Sequence, residues 1–521
     1  MPSLILRRAA TGMLLLATLA GCASLPAPPS RLQSHAFTDT AGTRIGRSAQ
    51  HLAAPHPGLT GARALLDARE AFVARYAMAL GAERSIDVQT YIWRADTSGS
   101  LLAQALWDAA ERGVRVRVLL DDANTSGLDA MLAALDAHPN IEIRLFNPFA
   151  NRTWRIGDFT ADFSRVNRRM HNKSFTVDNQ ATVVGGRNIG DEYLGAETPV
   201  AFTDLDVLAI GPAVDEVSSV FDRYWNSDSA WPVSALLAPP TAAALENTRA
   251  HWAEHRQLPA ATRYLEAVRH LPLLAQMMAG TLALDWSRAR VLADAPEKVL
   301  LPTTSKDAQM LPELAAEFVN AGHELALVSP YFVPGEAGAK ALVAMAGRGV
   351  QVQVLTNSLA ATDVGVVYSG YTRYREQLLR GGVRIYELKP AALPEQKAAA
   401  PSPGVGGSRG GSSSASLHAK TFAADRNRIF VGSFNLDPRS IALNTEMGVV
   451  LESPALAARL SDAFRTEIPR QAYELRLEGD QVVWLERTEA GELRHAEAPG
   501  IGFMRGLWIG LLALLPIEWL L

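Results

Sequence analysis

The chain has a single cysteine, Cys22, among 521 residues. Intramolecular disulfides are therefore excluded, and the fold must be held by packing and hydrogen bonds. Long apolar runs are scarce too. Residues 9–20 and 507–521 stand out, the second broken by Pro516 and Glu518, and both fall short of the roughly 20 residues of a spanning helix. Charge of one sign is missing: 50 Lys and Arg against 54 Asp and Glu leave a net charge of −4, with no global signature of a polyanion binder. There is no HExxH, no CxxC pair and no Gly-Lys-Ser/Thr loop, so no segment has metal or nucleotide spacing and no cofactor is expected.

What is present belongs to a globular protein, with 48% hydrophobic and 20% charged residues. The length exceeds the usual ceiling for one core, so two domains or one duplicated domain are expected. Arg7 and Arg8, the apolar stretch 9–20 and "LAGC" at 19–22 describe a secretory leader. The last four residues resemble a bacterial lipobox, which implies lipidation of Cys22. An uncleaved N-terminal anchor is the alternative. "ASLPAPPS" then reads as an extended tether. By resemblance to lipoprotein sorting rules, Ala23 in place of Asp points to the outer membrane.

One structural unit is written twice. "ERSIDVQTYIW" from Glu83 suits a buried strand. Leu101, Leu102, Ala105, Leu106 and Ala109 fall at helical spacing before Gly113, and "VRVRVLLDD" follows as a second strand. That is a βαβ unit, and a parallel sheet is its default setting. "HELALVSPYFV", "AKALVAMAGRG" and "VQVQVLTNS" repeat it from His323.

Each copy leads to one motif. "HNKSFTVD" at 171–178 returns as "HAKTFAAD" at 418–425, and each is followed after six residues by "GGRN" or "GSFN". The offset is 247 residues at the histidines and still 247 at Asn188 and Asn435. Both motifs read as strand, turn, strand, so His171 and Lys173 point together, as do His418 and Lys420. The bland reading is a pair of ordinary polar hairpins. Two copies with matching tails in matching contexts argue against it.

Breaking a phosphodiester without a metal needs a nucleophile, an acid for the leaving oxygen and fixed positive charge on the non-bridging oxygens. Two imidazoles on opposite sides of one phosphate can be nucleophile and acid. Lys173 and Lys420 supply charge, and Asn188 and Asn435 supply hydrogen bonds. Each copy then carries half a site.

The paired HxKxxxxD motifs resemble the phospholipase D superfamily over nearly the whole chain. The resemblance implies an α/β fold of two duplicated α/β/α domains, related by a pseudo-two-fold axis, with one active site at their interface. It also implies a covalent phosphohistidine and no metal. Carried over, His171 is the nucleophile and His418 the general acid and then base, although two near-identical half-sites leave the reverse order open. The family orients its histidines with carboxylates some 25 to 35 residues downstream. Glu446 lies 28 residues beyond His418 and Asp204 33 beyond His171, with Asp206 a rival. Asp178 and Asp425 belong to the motif, with bracing the hairpin as their expected task. Ser433 is a candidate phosphate contact that Gly186 lacks in the first copy, which implies asymmetry between the half-sites.

"NRRMHNKSFTVDN" with "VGGRNIGDEY" resembles bacterial cardiolipin synthases of the C type, most closely through residues 165–225. This implies transfer of a phosphatidyl group to His171 and then to the alcohol of a second lipid. Phosphatidylglycerol is the expected substrate, phosphatidylethanolamine a further candidate, and a membrane surface the expected partner. No nucleic acid is expected, and a site built from both copies needs no dimer, so a monomer is expected. The alternatives are a phospholipase D hydrolase with water as acceptor, a periplasmic nuclease, and a non-catalytic lipid-binding lipoprotein. The arginines 152, 155, 165, 168 and 169 could gather anionic headgroups or form a solvated loop. The expected organisation is a leader (1–22), a tether and N-terminal segment (23–60), a first domain (61–230) and a helical connector (231–300). A second domain (301–490) with a flexible loop (391–416) and an apolar tail (491–521) complete it. The expected location is the periplasmic side of the cell envelope.

Overall fold

A computed structural model describes residues 25, 32–196, 201–362, 364–390 and 415–500. The leader with Cys22, most of the loop at 391–416 and the apolar end of the tail lie outside the described residues.

The two βαβ units form as their patterns dictate. Strands Ser85–Thr90 and Arg115–Asp121 are parallel neighbours joined by helix Thr97–Glu111. Asp96 caps that helix by accepting from the Gly99 backbone N–H. Gly113, at φ +89°, turns the chain into the second strand, where a side chain would be strained. Glu324–Val328, Gly335–Gly347 and Gln351–Asn357 repeat the unit, with Gly349 at φ +92°.

Each half builds a sheet around six corresponding strands. In the first they run Asp206–Ile210, Ala181–Gly185, Ser174–Val177, Ser85–Thr90, Arg115–Asp121, Ile141–Phe146. In the second the same order is Met447–Leu451, Arg428–Gly432, Lys420–Ala424, Glu324–Val328, Gln351–Asn357, Arg384–Leu388. The last three of each set are parallel and the first three antiparallel. This is the expected duplicated α/β architecture.

Two segments pack onto the first half. Helices Ala242–Gln257, Pro259–Arg269 and Pro272–Ala279 lie in the expected connector. Trp252, Tyr264, Val268 and Leu273 bury into the apolar core of the first half, whose helices they cover. From residue 32 the N-terminal segment is packed too: the carbonyls of Leu32 and Ser34 accept from Arg144 and Arg117 at 2.8 and 2.9 Å, and helix Arg44–Ala53 follows.

The halves join through a continuous core. Ala62, Val207 and Ala209 of the first sheet pack with Ala326, Val328, Ala423, Val431 and Val449 of the second. The strand Ala201–Thr203 pairs in parallel with Ala415–Leu417 across the junction, and Met170 bridges to Thr445. These two crossings place the motif histidines.

Candidate active site

Each histidine enters the junction just ahead of its hairpin. The His171 backbone N–H donates to the Thr445 carbonyl at 2.8 Å, and the His418 N–H to the Thr203 carbonyl at 2.8 Å. The residue before each is held by a side chain at the end of the second parallel strand. Asp121 Oδ2 accepts from Met170 N at 2.7 Å. Asn357 accepts from the Leu417 N–H and donates to the Leu417 carbonyl, both at 3.0 Å. Neither Asp121 nor Asn357 was legible as a site residue, since each looks like an ordinary strand end.

The carboxylates cross between the halves. His171 Nδ1 lies 2.8 Å from Glu446 Oε2, and His418 Nδ1 lies 2.5 Å from Asp204 Oδ2. Spacing along the chain pairs each carboxylate with the upstream histidine of its own copy. The fold instead exchanges them, because Thr445 and Thr203, the neighbours of Glu446 and Asp204, bond to the opposite histidine's backbone. With Nδ1 occupied, the Nε2 of each ring is the nitrogen left for chemistry. Tyr91 meets His171 edge-on at 5.1 Å between ring centroids, and Tyr193 meets His418 at 5.2 Å. The rival Asp206 is engaged elsewhere, 2.9 Å from Arg75.

The other motif residues divide into two groups. Lys173 and Lys420 are buried beside the histidines, each donating to the carbonyl of the histidine two residues earlier, Lys173 at 2.6 Å. The Asn188 Oδ1 accepts from Ile92 N at 3.2 Å, while its Nδ2 has no partner among the described residues. The Asn435 Oδ1 is likewise buried without a partner among the described residues. Such orphaned polar atoms are costly unless a ligand supplies their bonds.

Asp178 and Asp425 sit at the far end of the hairpins and do not join this group. Asp178 accepts from the backbone N–H groups of Glu83, Arg84 and Ser85, and Asp425 from those of Gly322, His323 and Glu324. They brace the hairpins and are removed from the candidate catalytic set. Ser433 also departs from expectation. Its hydroxyl donates to Glu446 Oε2 and accepts from Met447 N at 3.0 Å, so it is spent on the carboxylate. The arginine run is likewise internal. Arg152 pairs with Asp122 and Asp129, Arg165 with Asp162, and Arg169 donates to the Val166 and Asn147 carbonyls. Nor is it a solvated loop.

Burial sets the electrostatics. It pushes His171 well below its usual range, and the Lys173 and Lys420 cations add to the push. It takes His418 down to about 3, with Lys420 assisting and Asp204 opposing. Lys173 is also held well below its ordinary value by burial, against the attraction of Glu446. The carboxylates differ. Burial pushes Glu446 up to about 7 despite Lys173. Burial acts on Asp204 too, but His418 and Lys420 outweigh it and hold that carboxyl well below the usual range.

A profile of the family described as "Cardiolipin synthase, PLD-like domain" matches residues 77–225 and 314–468, more than half of the chain and one segment per motif. The chain belongs to this family. Cardiolipin synthase C of Escherichia coli (strain K12) is 44% identical over 487 residues, 92% of this chain and 100% of that protein. An uncharacterised protein of Helicobacter pylori (strain ATCC 700392 / 26695) is 34% identical over 447 residues, 84% of this chain and 85% of its own length. Among solved structures, phosphatidylserine synthase of Haemophilus influenzae Rd KW20 shares the fold. It has a TM-score of 0.56 and 12% identity, covering 92% of this chain and 100% of that one. The fold is thus a duplicated phospholipase D-like α/β domain, with the two motifs meeting between the copies.

Proposed function

We propose that the protein is a phosphatidyl transferase of cardiolipin-synthase type, acting on phospholipids at the cell envelope through a covalent phosphohistidine. The observation that carries this reading is the pair of imidazoles, each with Nδ1 bound to a carboxylate of the opposite half. Relationship to cardiolipin synthase C supports the substrate class.

In the first step His171 Nε2 attacks the phosphorus of the donor lipid. A P–N bond forms as the P–O bond to the headgroup breaks, and His418 gives its proton to the departing oxygen. In the second step the hydroxyl of an acceptor phosphatidylglycerol loses its proton to His418 and attacks phosphorus, and the P–N bond breaks. Lys173, Lys420 and the amides of Asn188 and Asn435 hold the non-bridging oxygens. The carboxylates support this order. Asp204, firmly ionised, favours an imidazolium on His418, whereas Glu446, with its raised pKa, favours a neutral and nucleophilic His171. Bound phosphate opposes the lysine charges that keep the free imidazoles neutral, so His418 gains its proton as substrate binds.

We place the enzyme as a monomer on the periplasmic side, held through a lipid on Cys22, with the outer membrane as its site. The test uses the purified full chain with labelled phosphatidylglycerol, with and without phosphatidylethanolamine, beside His171→Ala and His418→Ala. Cardiolipin from the unaltered chain alone is the expected result. Phosphatidic acid without cardiolipin would make water the acceptor, and no lipid product at all would refute the phospholipid reading.

A further inference from the structure

Strand Ile141–Phe146 is parallel to Arg115–Asp121, and both end on the edge of the sheet where Asp121 holds the residue before His171. Between that strand and His171 the chain makes an excursion containing two short helices, Arg155–Ala161 and Phe163–Val166. Its outer face is apolar. Trp154 is 57% exposed, Ile156 51% and Phe163 41%. The other exposed positions of 153–164 are the uncharged Thr153, Thr160, Ala161 and Ser164, and the half-exposed Asp162 carboxylate beside them is paired with Arg165.

The charged groups of the excursion are bonded to its base or paired within it. Asp158 accepts from the Ala150 and Asn151 N–H groups, Arg155 donates to the Asp122 carbonyl at 2.7 Å, and Arg165 pairs with Asp162. Arg168 donates to the carbonyls of Val299 and Leu301 and meets no carboxylate among the described residues. Arg152, Arg155, Arg165 and Arg169 are offset by Asp122, Asp129, Asp162 and Asp121, which leaves Arg168 as the unbalanced cation at the base of this face. An apolar tip above Arg168 matches a phospholipid bilayer: the apolar side chains enter the acyl boundary, which tryptophan favours, and the Arg168 guanidinium lies at the depth of the phosphates.

We infer that residues 153–164 form an interfacial wedge that inserts into a phospholipid bilayer and seats the mouth of the active site on the surface that holds its substrate. This rests on the phospholipid reading above. The wedge matters for a substrate in a bilayer and not for one dissolved as single molecules.

The full chain and a W154S/I156S/F163S variant would be compared on phosphatidylglycerol vesicles and on short-chain phosphatidylglycerol below its micelle-forming concentration. The variant should lose about tenfold or more in kcat/KM on vesicles, and stay within about twofold on the dissolved lipid, with an unchanged melting temperature. Equal loss on both substrates, or on neither, would overturn the proposal. So would a change in oligomeric size, which would make the face a protein interface. Insertion is also measurable without turnover. Brominated phosphatidylglycerol should quench more tryptophan fluorescence in the unaltered chain than in Trp154→Phe, and equal quenching would overturn the wedge. Quenching that differs while neither lipid is converted would instead leave the wedge standing and refute the phospholipid reaction.

Discussion

Two linked substitutions separate the carboxylate ends of the two half-sites. The second copy has Ser433 and Glu446, the first Gly186 and Asp204, and the pairs make sense together. A Cβ at position 186 would lie 2.2 Å from Asp204 Oδ1, so the shorter carboxylate occupies the space that a serine side chain would need. The longer Glu446 leaves room for Ser433, whose hydroxyl then holds it. Gly186→Ser should therefore push Asp204 off His418 and lower kcat by about tenfold or more, with a shifted acidic limb in the pH–rate profile. Equal kcat and pH profile would show that Asp204 does not orient the ring. The asymmetry itself was legible in the sequence, but its meaning was not. A serine in the motif tail suggests phosphate contact, and only the folded chain turns its hydroxyl to a carboxylate.

The hairpin is the element that carries the site, and its turn explains the motif's aspartate. Asp178 and Asn179 both have left-handed backbone, at φ +52° and +49°, as do Asp425 and Arg426 at +52° and +55°. Two successive residues of that kind suit a tight hairpin, and aspartate tolerates the conformation better than most side chains. The Asp178 carboxylate then clamps the turn to the start of strand Ser85–Thr90. Asp178→Ala removes the acceptor of three backbone N–H groups at a fully buried position, and should cost about 2–3 kcal/mol. A urea denaturation midpoint equal to that of the unaltered chain would refute the clamp. At this scale the sequence reads well. The βαβ units and hairpins depend on periodicity and turn residues a few positions apart. Helices Ala242–Gln257 to Pro272–Ala279 were legible as helices, but the surface they cover depends on partners far away in the chain. The arginines before His171 were misread for the same reason, since Asp122 and Asp129, their partners, lie more than twenty residues upstream.

For the whole molecule, the junction buries two imidazoles that an unfolded chain would expose. His418 takes a proton near 6.5 when unfolded and near 3 when folded. Its contribution is present above pH 6.5 and is lost as the pH falls through that window, by up to about 1.4 kcal/mol per unit for one proton. Glu446 acts in the opposite sense. Raised to about 7, its contribution is full below about 4.5 and is lost as the pH rises through 7. Stability should thus fall most steeply below pH 4.5, where Glu446 no longer offsets the histidines and Asp204, held below the usual carboxylate range by His418 and Lys420, begins to lose ground as well. His418→Asn should flatten the curve of melting temperature against pH between 6.5 and 3, and curves of equal slope would refute the linkage.

The sequence by itself determined the duplication, the parallel units, the two hairpins and the family, because each rests on local pattern or on a repeat 247 residues long. The tertiary structure alone decided which carboxylate serves which histidine. Glu446 reaches His171 across 275 residues and Asp204 reaches His418 across 214. Spacing within a copy carries no information about that exchange. It arises where two apolar sheet faces meet and each half lends its threonine carbonyl to the other's histidine.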